Sequence, residues 1–459
     1  MSKFERLTVL DEMWLHLEGP DTHMHVGAVV VFEGPAPDYE EFKDMVGRRL
    51  QLVPRFRQKI HTVPFGLGRP IWADDTHFNL EYHVRQTALP APGDETKLKR
   101  LAGRIMSQQL DRTKPLWEIW FVEGLQDDRW ALISKTHHAV VDGVSGADLM
   151  TVMLDLSEEP SEIEYEPWRP IPEPSADQLL MEALGERITS PAELLRIVQS
   201  AMLDPAKLPN RVVEAAKAVG SFVGGTLDLA PPSTLNVRIG PHRRFEMVHL
   251  DLEDVKRVKN AYGTTVNDVV LAVVTGALRR MLSERGERVD DIELRAMIPV
   301  SVRADADRGA LGNQIATMWA TLPVRIADPV ERLKAVNEHM GHLKGSGQAV
   351  GAQILTSLGE YAPPTILAQA SRLVQRQRAY NLTITNVPGP QIPLYATGRK
   401  MLDVYPVLPL AGNTTLGVAL FSYNGGIGFG LLGDYDAVPD LAVLAEGIEK
   451  SIAELLTTL

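Results

Sequence analysis

The chain has 459 residues, 44% of them hydrophobic, which exceeds what one ordinary core organises and fits two packed domains of common size. Its net charge of -12 argues against a nucleic-acid binder, because neutralising phosphates requires a basic surface, and against electrostatic attraction to acidic membranes. Cysteine is absent, which excludes disulfides, thiolate zinc sites and cysteine nucleophiles and suits a reducing cytosol.

The opening residues Met1 to Arg6 lack the apolar stretch of a signal peptide. No uncharged run approaches the roughly 18 to 20 residues that span a bilayer. The expectation is a cytoplasmic chain whose contact with the inner membrane or with lipid bodies is peripheral. His25 to Phe32 (HVGAVVVF) is β-branched and apolar and predicts a strand, and Tyr39 to Leu52 carries helical spacing. Trp117 to Leu125 and Trp130 to Thr136 read as a hairpin around Gln126-Asp127-Asp128, the second strand running straight into His137 and His138. Gly146 to Leu156 has the apolar spacing of a helix.

Glu164 to Ser175 (EYEPWRPIPEPS) is proline-rich and predicts a linker, because proline lacks a backbone donor and interrupts helices and central strands. Amphipathic helical segments follow from about Ala176 to Val223, then a breaker at Pro231-Pro232. Beyond Arg244 the pattern is mixed again, with a strand at Phe245 to Leu250, a helix at Val266 to Leu282 and a strand at Leu294 to Val300. The expected architecture is therefore α/β (α+β): a first subdomain over 1–160, a proline-rich and helical crossover over 161–240 and a second subdomain over 241–459. No repeat of roughly 20 to 50 residues is present.

The most informative stretch is Thr136 to Gly146 (THHAVVDGVSG), which contains His-His-x-x-x-Asp-Gly. Adjacent side chains of an extended segment point to opposite faces, so only one of His137 and His138 can enter a given cleft, and the other serves packing or support. A histidine base suits proton transfer because its reference pKa of about 6.5 leaves it largely neutral near pH 7. Gly143 permits the tight turn that Asp142 begins. Within the same stretch, Gly143-Val144-Ser145-Gly146 resembles a hydrolase nucleophile elbow around Ser145, but Ala147 stands where that motif needs glycine, and its histidine comes late in the chain. His23 and His25 alternate like a pair of metal ligands, yet no third ligand of fitting spacing accompanies them, and no metal is expected.

Taken together, His137, His138, Asp142 and Gly143 reproduce the signature of the coenzyme A-dependent acyltransferase superfamily. More narrowly, the chain resembles the bacterial wax ester synthase/diacylglycerol acyltransferase family. That closer resemblance is carried by Pro115-Leu116-Trp117, Thr265-Val266-Asn267-Asp268 and Asn381 to Pro390 (NLTITNVPGP), with Leu10-Asp11, Pro167-Trp168 and Ser422-Tyr423 beside them. It implies two chloramphenicol-acetyltransferase-like halves with the catalytic histidine midway along a central channel. It also implies that His138 deprotonates an acceptor hydroxyl, which attacks the thioester of acyl-CoA directly. The substrates implied are a long-chain acyl-CoA and a diacylglycerol or fatty alcohol, with no cofactor besides acyl-CoA as substrate.

Asn267 is the candidate for oxyanion stabilisation, since the first turn of a helix offers free N–H groups and the positive end of its dipole. Helix-start hydrogen bonding is its alternative duty. Thr265 and Asp268 match a capping box, so Asp268 closes the helix start. From the family pattern Asp142 pairs with Arg303, or less well with Arg295, and holds the turn after His138; His137 is expected to pack. Asn386-Val387-Pro388-Gly389 is most simply a turn, and the family resemblance implies a role for it in shaping the channel. Two rival readings are a non-catalytic lipid-binding protein of the same fold and a serine hydrolase using Ser145. Contact with lipid is expected through Ala183 to Val223 and Val350 to Leu373, by apolar insertion and not by charge.

Overall fold

The computed structural model describes residues 4–141, 152–182, 229–301, 315–345 and 379–459. The first half opens with β1 (Glu5–Arg6), α1 (Val9–Leu17), β2 (His25–Phe32), α2 (Tyr39–Arg49), β3 (Gln58–His61) and β4 (Ile71–Asp74). It continues through α3 (Leu80–His83), β5 (Val84–Ala88), α4 (Glu95–Met106), β6 (Trp117–Glu123), β7 (Trp130–His137) and the single turn α5 (His138–Val141). The apolar run at 25–32 is a strand as its β-branched residues predict, and the helical spacing from Tyr39 gives α2 followed by a 3-10 turn at Leu50–Leu52. The β6–β7 hairpin turns where predicted: Asp127 and Asp128 adopt positive φ, which aspartate tolerates better than most residues.

The second half begins with β8 (Arg243–Asp251), α6 (Leu252–Tyr262), α7 (Val266–Glu284), β9 (Leu294–Ser301), β10 (Ile315–Leu322) and α8 (Pro329–Gly345). It ends with β11 (Leu382–Pro388), β12 (Tyr395–Ala396), β13 (Arg399–Val407), β14 (Leu416–Tyr423), β15 (Gly426–Asp434) and α9 (Leu441–Leu456). Helix α7 is rich in valine, a mediocre helix former, yet Val269 to Val274 are all buried without a polar break. Burial decides here. A buried valine or leucine gains about 1.5–3 kcal/mol, against a propensity cost below about 0.7 kcal/mol per residue. Apolar all round in this stretch, α7 threads the core of the second half between α8, α9 and its sheet.

Among the described residues two six-stranded sheets carry the fold, in the orders β12-β13-β2-β7-β6-β5 and β10-β9-β11-β14-β15-β8; β1, β4 and β3 make a small third sheet. In the first sheet β2 and β7 are antiparallel, with His25 opposite His137. In the second, β11 runs parallel to both β9 and β14, while the other pairings are antiparallel. Sheet membership does not follow chain order. Strands β12 and β13, from the late part of the chain, leave the second half and complete the first sheet, β13 pairing antiparallel with β2. Glycines of β15 make room for the crossing strand: a Cβ at Gly428 would lie 2.0 Å from the Val404 carbonyl oxygen, and one at Gly430 would lie 1.7 Å from that of Pro406. A mixed core of Val29, Val31 and Ile133 with Phe245, Met247 and Leu432 seals the two sheets together.

Glu164 to Ser175 contains neither helix nor strand and lies along the first half. Gln51 donates to the Glu164 carbonyl (2.8 Å), the Ile171 N–H donates to Asp74 (2.9 Å), and the Arg57 guanidinium covers the Trp168 ring. The helix expected at Gly146 to Leu156 is described only from Val152, where it ends before Leu154, and the segment from Ala176 is helical to Glu182. The remainder of both stretches, and Val350 to Leu373, lie outside the described residues. Among the described residues no single helix is long and apolar enough to cross a membrane.

Candidate active site

The paired histidines stand where β7 becomes α5, and the chain is gripped from both sides at that point. The His137 N–H donates to the Leu116 carbonyl and the His138 N–H to the Met24 carbonyl, each at 2.9 Å. As alternation requires, the two rings part company: His137 is fully buried and His138 half-buried. The Ala139 N–H donates to Nδ1 of His137 (3.1 Å), so the neutral ring carries its proton on Nε2, which lies 3.8 Å from Glu18. Burial, followed by the charges of Arg112 and His138, holds the His137 pKa down at about 3. The Glu18 contact is therefore not an ion pair. Glu18 has its own cation in Arg112, whose Nε donates to it at 2.5 Å and whose Nη2 donates to the Leu15 carbonyl at 2.7 Å; burial nonetheless raises the Glu18 pKa. One helical turn before Glu18, the Trp14 indole of α1 stacks on the His138 imidazole, with ring centroids 4.2 Å apart.

Behind the pair, Pro115-Leu116-Trp117 acts as a brace. Leu116 supplies the carbonyl that receives His137, and the buried Trp117 donates from Nε1 to the Phe56 carbonyl (2.7 Å) while stacking on His83. His83 lies 2.8 Å through Nδ1 from the Trp117 carbonyl, and burial lowers its pKa to about 4. His25 packs edge-on against His137, with both of its ring nitrogens buried and without a hydrogen-bond partner. Burial, aided by the positive charge of Lys135, holds its pKa well below the usual histidine range. His23 faces two backbone carbonyls, of Pro20 (2.9 Å) and Met106 (3.3 Å), which gives it a packing duty. Asp75, His77 and Glu173 bring possible ligand atoms within 4.8 Å of one another, but the Lys59 ammonium stands 2.7 Å from Glu173 and 3.4 Å from Asp75 and already supplies the positive charge there.

In the second half, Thr265 caps α7. Its hydroxyl accepts from the Asp268 N–H (3.2 Å) and the Asp268 carboxylate accepts from the Thr265 N–H (2.9 Å), the reciprocal capping box. Asn267, between them in the first turn, is half-buried, and its Oδ1 accepts from the side-chain amide of Asn386 on β11 at 3.4 Å. The turn expected at Asn386 to Gly389 is not one: Asn386, Val387 and Pro388 continue β11 as an extended strand paired in parallel with β14, where strand pairing overrides the local preference of Pro and Gly, and the chain beyond them is packed hard against β14. A Cβ at Gly389 would lie 2.1 Å from the Phe421 ring, and the Gly389 N–H donates to the Ser422 carbonyl at 3.0 Å. Tyr423 accepts from the Leu394 N–H (2.8 Å) and donates to the Met401 carbonyl (3.1 Å), which pins the crossing strands. Val140, just after the histidines, and Val387, just after Asn386, belong to one apolar cluster with Trp117, Phe421 and Tyr423. Segments distant in sequence thus meet around a single core.

Asp142, Gly143, Ser145 and Arg303 lie outside the described residues. Arg295 sits near the start of β9, bonded through its backbone to Asn381 at both N–H (2.8 Å) and carbonyl (2.7 Å), whereas residue 303 follows the opposite end of that strand. Sequence reasoning missed Trp14, Glu18 and Arg112, and read Asn386 only as part of a turn and not as the partner of Asn267. Each contacts a residue far along the chain, and neither periodicity nor spacing signals such a contact.

A family model described as the wax ester synthase/diacylglycerol acyltransferase catalytic domain matches residues 7–270, a span that includes both His138 and Asn267. The chain belongs to this family. The C-terminal domain of the same family matches residues 311–456. A relative from Mycobacterium tuberculosis named "probable diacylglycerol O-acyltransferase" is 37% identical over 454 residues, covering 98% of this chain and 95% of its own. A solved wax ester synthase/diacylglycerol acyltransferase from Marinobacter aquaeolei VT8 superposes with a TM-score of 0.70 at 29% identity, covering 99% of both chains. The first condensation domain of the calcium-dependent antibiotic synthetase shares the two-subdomain fold, with a TM-score of 0.60 at 18% identity over 99% of this chain and 96% of that one.

Proposed function

We propose that this family member is a long-chain acyl-CoA-dependent O-acyltransferase that forms triacylglycerol from diacylglycerol, wax ester from fatty alcohol, or both. The observation that carries the reading is the division of labour at the end of β7: His137 is buried and held neutral, while the adjacent His138 is half-buried at the head of its own turn. In the reaction His138 accepts the proton of the acceptor hydroxyl as its oxygen attacks the thioester carbonyl. The Asn267 amide, or the N–H groups of its helix turn, stabilises the oxyanion. The tetrahedral intermediate then collapses, the C–S bond breaks, and the coenzyme A thiolate takes the proton back from the imidazolium. No acyl-enzyme forms. A positioned base contributes about 10²- to 10⁴-fold, so alignment and oxyanion stabilisation carry the rest. Coenzyme A enters and leaves as substrate and product, and the scheme needs no metal or resident cofactor.

Asp142 paired with Arg303 would brace the turn after His138. The acceptors are lipids, which calls for a peripheral, apolar attachment to a membrane or lipid-body surface. The deciding assay follows thiol release from a long-chain acyl-CoA with diacylglycerol, monoacylglycerol or a fatty alcohol added singly. Release that depends on the added alcohol supports the reading. Release without any alcohol would indicate a hydrolase, and saturable lipid binding without release a non-catalytic binder; either overturns it.

A further inference from the structure

The indole of Trp14 covers one face of the His138 imidazole, with ring centroids 4.2 Å apart and planes inclined by 28°. The indole is carried on a helix that is itself fixed. Thr8 and Asp11 close a capping box at the start of α1, Val9 and Leu17 are buried, and Arg112 holds the Leu15 carbonyl next to Trp14. A ring that merely filled space could be exchanged for any apolar side chain of similar bulk. An imidazole acting as a base differs from such a filler, because it becomes a cation in the course of the reaction. The face of an aromatic ring is electronegative and attracts cations, indole most strongly. The contact therefore strengthens as the proton arrives on His138, and an interaction stronger in the transition state than in the ground state accelerates the chemical step.

We propose that Trp14 is a positioning residue for the acyl transfer, holding the His138 ring in one orientation and stabilising its imidazolium form. The proposal rests on His138 being the base. Among the described residues the titratable and charged groups against the histidine pair include His25 on β2, Glu18 at the C-terminal cap of α1 and Arg112 ahead of β6. His137 stays neutral through the working range, and the Glu18–Arg112 pair does not involve the indole. The Trp14→Phe variant therefore separates the aromatic face from its charged surroundings, since it keeps the face and changes none of those groups.

The test compares Trp14→Leu and Trp14→Phe with the parent and with His138→Ala, by thiol release from a long-chain acyl-CoA with diacylglycerol as acceptor, alongside thermal melts. In Trp14→Leu kcat is expected to fall by about 3- to 30-fold, with KM for both substrates little changed. The acid limb of kcat/KM should move about 0.5 to 1 pH unit lower, because the imidazolium has lost a stabilising partner. Trp14→Phe, which keeps an aromatic face, should recover most of both effects. The proposal is overturned if Trp14→Leu keeps the parent kcat and acid limb, if only KM rises, or if Phe and Leu cause equal losses. Turnover surviving in His138→Ala would overturn the base assignment itself, whereas a dead His138→Ala beside an unaffected Trp14→Leu would overturn the Trp14 role alone.

Discussion

Two junctions in this molecule set neighbouring residues to opposite tasks, and they do so by different physics. At the end of β7 the alternation of an extended chain sends His137 into the core and leaves His138 half-buried against Trp14. At the start of α7 the rotation of about 100° per helical residue turns Asp268 back onto the Thr265 N–H and leaves Asn267 facing Asn386. In the first junction the structural member is kept neutral by desolvation; in the second it is an acceptor for a helix-start N–H group. In the proposed reaction each junction would hold its reacting group accurately because the sequence neighbour is committed to the scaffold.

The largest expected effect is that of His138→Ala. Turnover should drop by about 10²- to 10⁴-fold while the melting temperature stays near that of the parent. Parent-like initial rates would end the assignment of roles at the first junction. At the second junction Asn267→Ala should lower kcat by about 10²- to 10³-fold with a modest change in KM, as the loss of one oxyanion donor does. Asp268→Ala should instead lose about 0.5 to 2 kcal/mol of stability through the broken cap, read from denaturant midpoints. If the two substitutions had interchanged effects, the comparison between junctions would collapse.

His137→Ala should show mainly as lost stability, about 2 to 4 kcal/mol, since it leaves a cavity and strands the Ala139 N–H. Acid sharpens the same point. With its folded pKa lowered to about 3, His137 binds its proton in the unfolded chain near pH 6.5 but not in the native one, and His83, at about 4, behaves alike. Their contribution is fully present above about pH 6.5 and declines as pH falls toward 4. Urea midpoints at pH 7.5 and pH 5 should show this decline, and replacing His137 should flatten it. A midpoint that stayed constant over that range would contradict the buried, neutral state of both rings.

The smallest effect has the opposite sign. His249 on β8 meets Asp403 on β13 at 2.7 Å, linking the second sheet to the strand that crosses into the first, and this hydrogen bond raises the His249 pKa. Its stabilisation is full below the unfolded pKa and disappears as pH rises through the raised folded value. The histidine is about half exposed, so the pair is worth at most about 1 kcal/mol. His249→Gln should lower the melting temperature slightly at pH 6 and leave it unchanged at pH 9; a larger loss at pH 9 would reverse the sign of this linkage.

Much of this arrangement was legible residue by residue. The β-branched run of β2, the hairpin at Asp127-Asp128, the lack of helix or strand over the prolines of Glu164 to Ser175 and the Thr265–Asp268 box all depend on contacts within a few positions, and the structure places them where those patterns predict. The unequal burial of His137 and His138 agrees with the same short-range reasoning. The donation of β12 and β13 to the first sheet was not, because the glycines of β15 that admit the crossing strand read in isolation only as a weak strand. Nor could spacing show that Trp14 would cover His138, or that Asn386 would reach Asn267.

By itself the sequence determined the elements, the two mixed halves, the family and the pair of histidines of which only one could serve a cleft. Those properties follow from backbone periodicity and short-range hydrogen bonding, which are set by neighbours along the chain. Only the tertiary structure decided which strands complete the first sheet, which residues brace His137, and which ring lies over His138. These contacts join surfaces that exist only after the elements have formed and collapsed on one another, and no local pattern encodes a partner that the chain meets more than a hundred residues later.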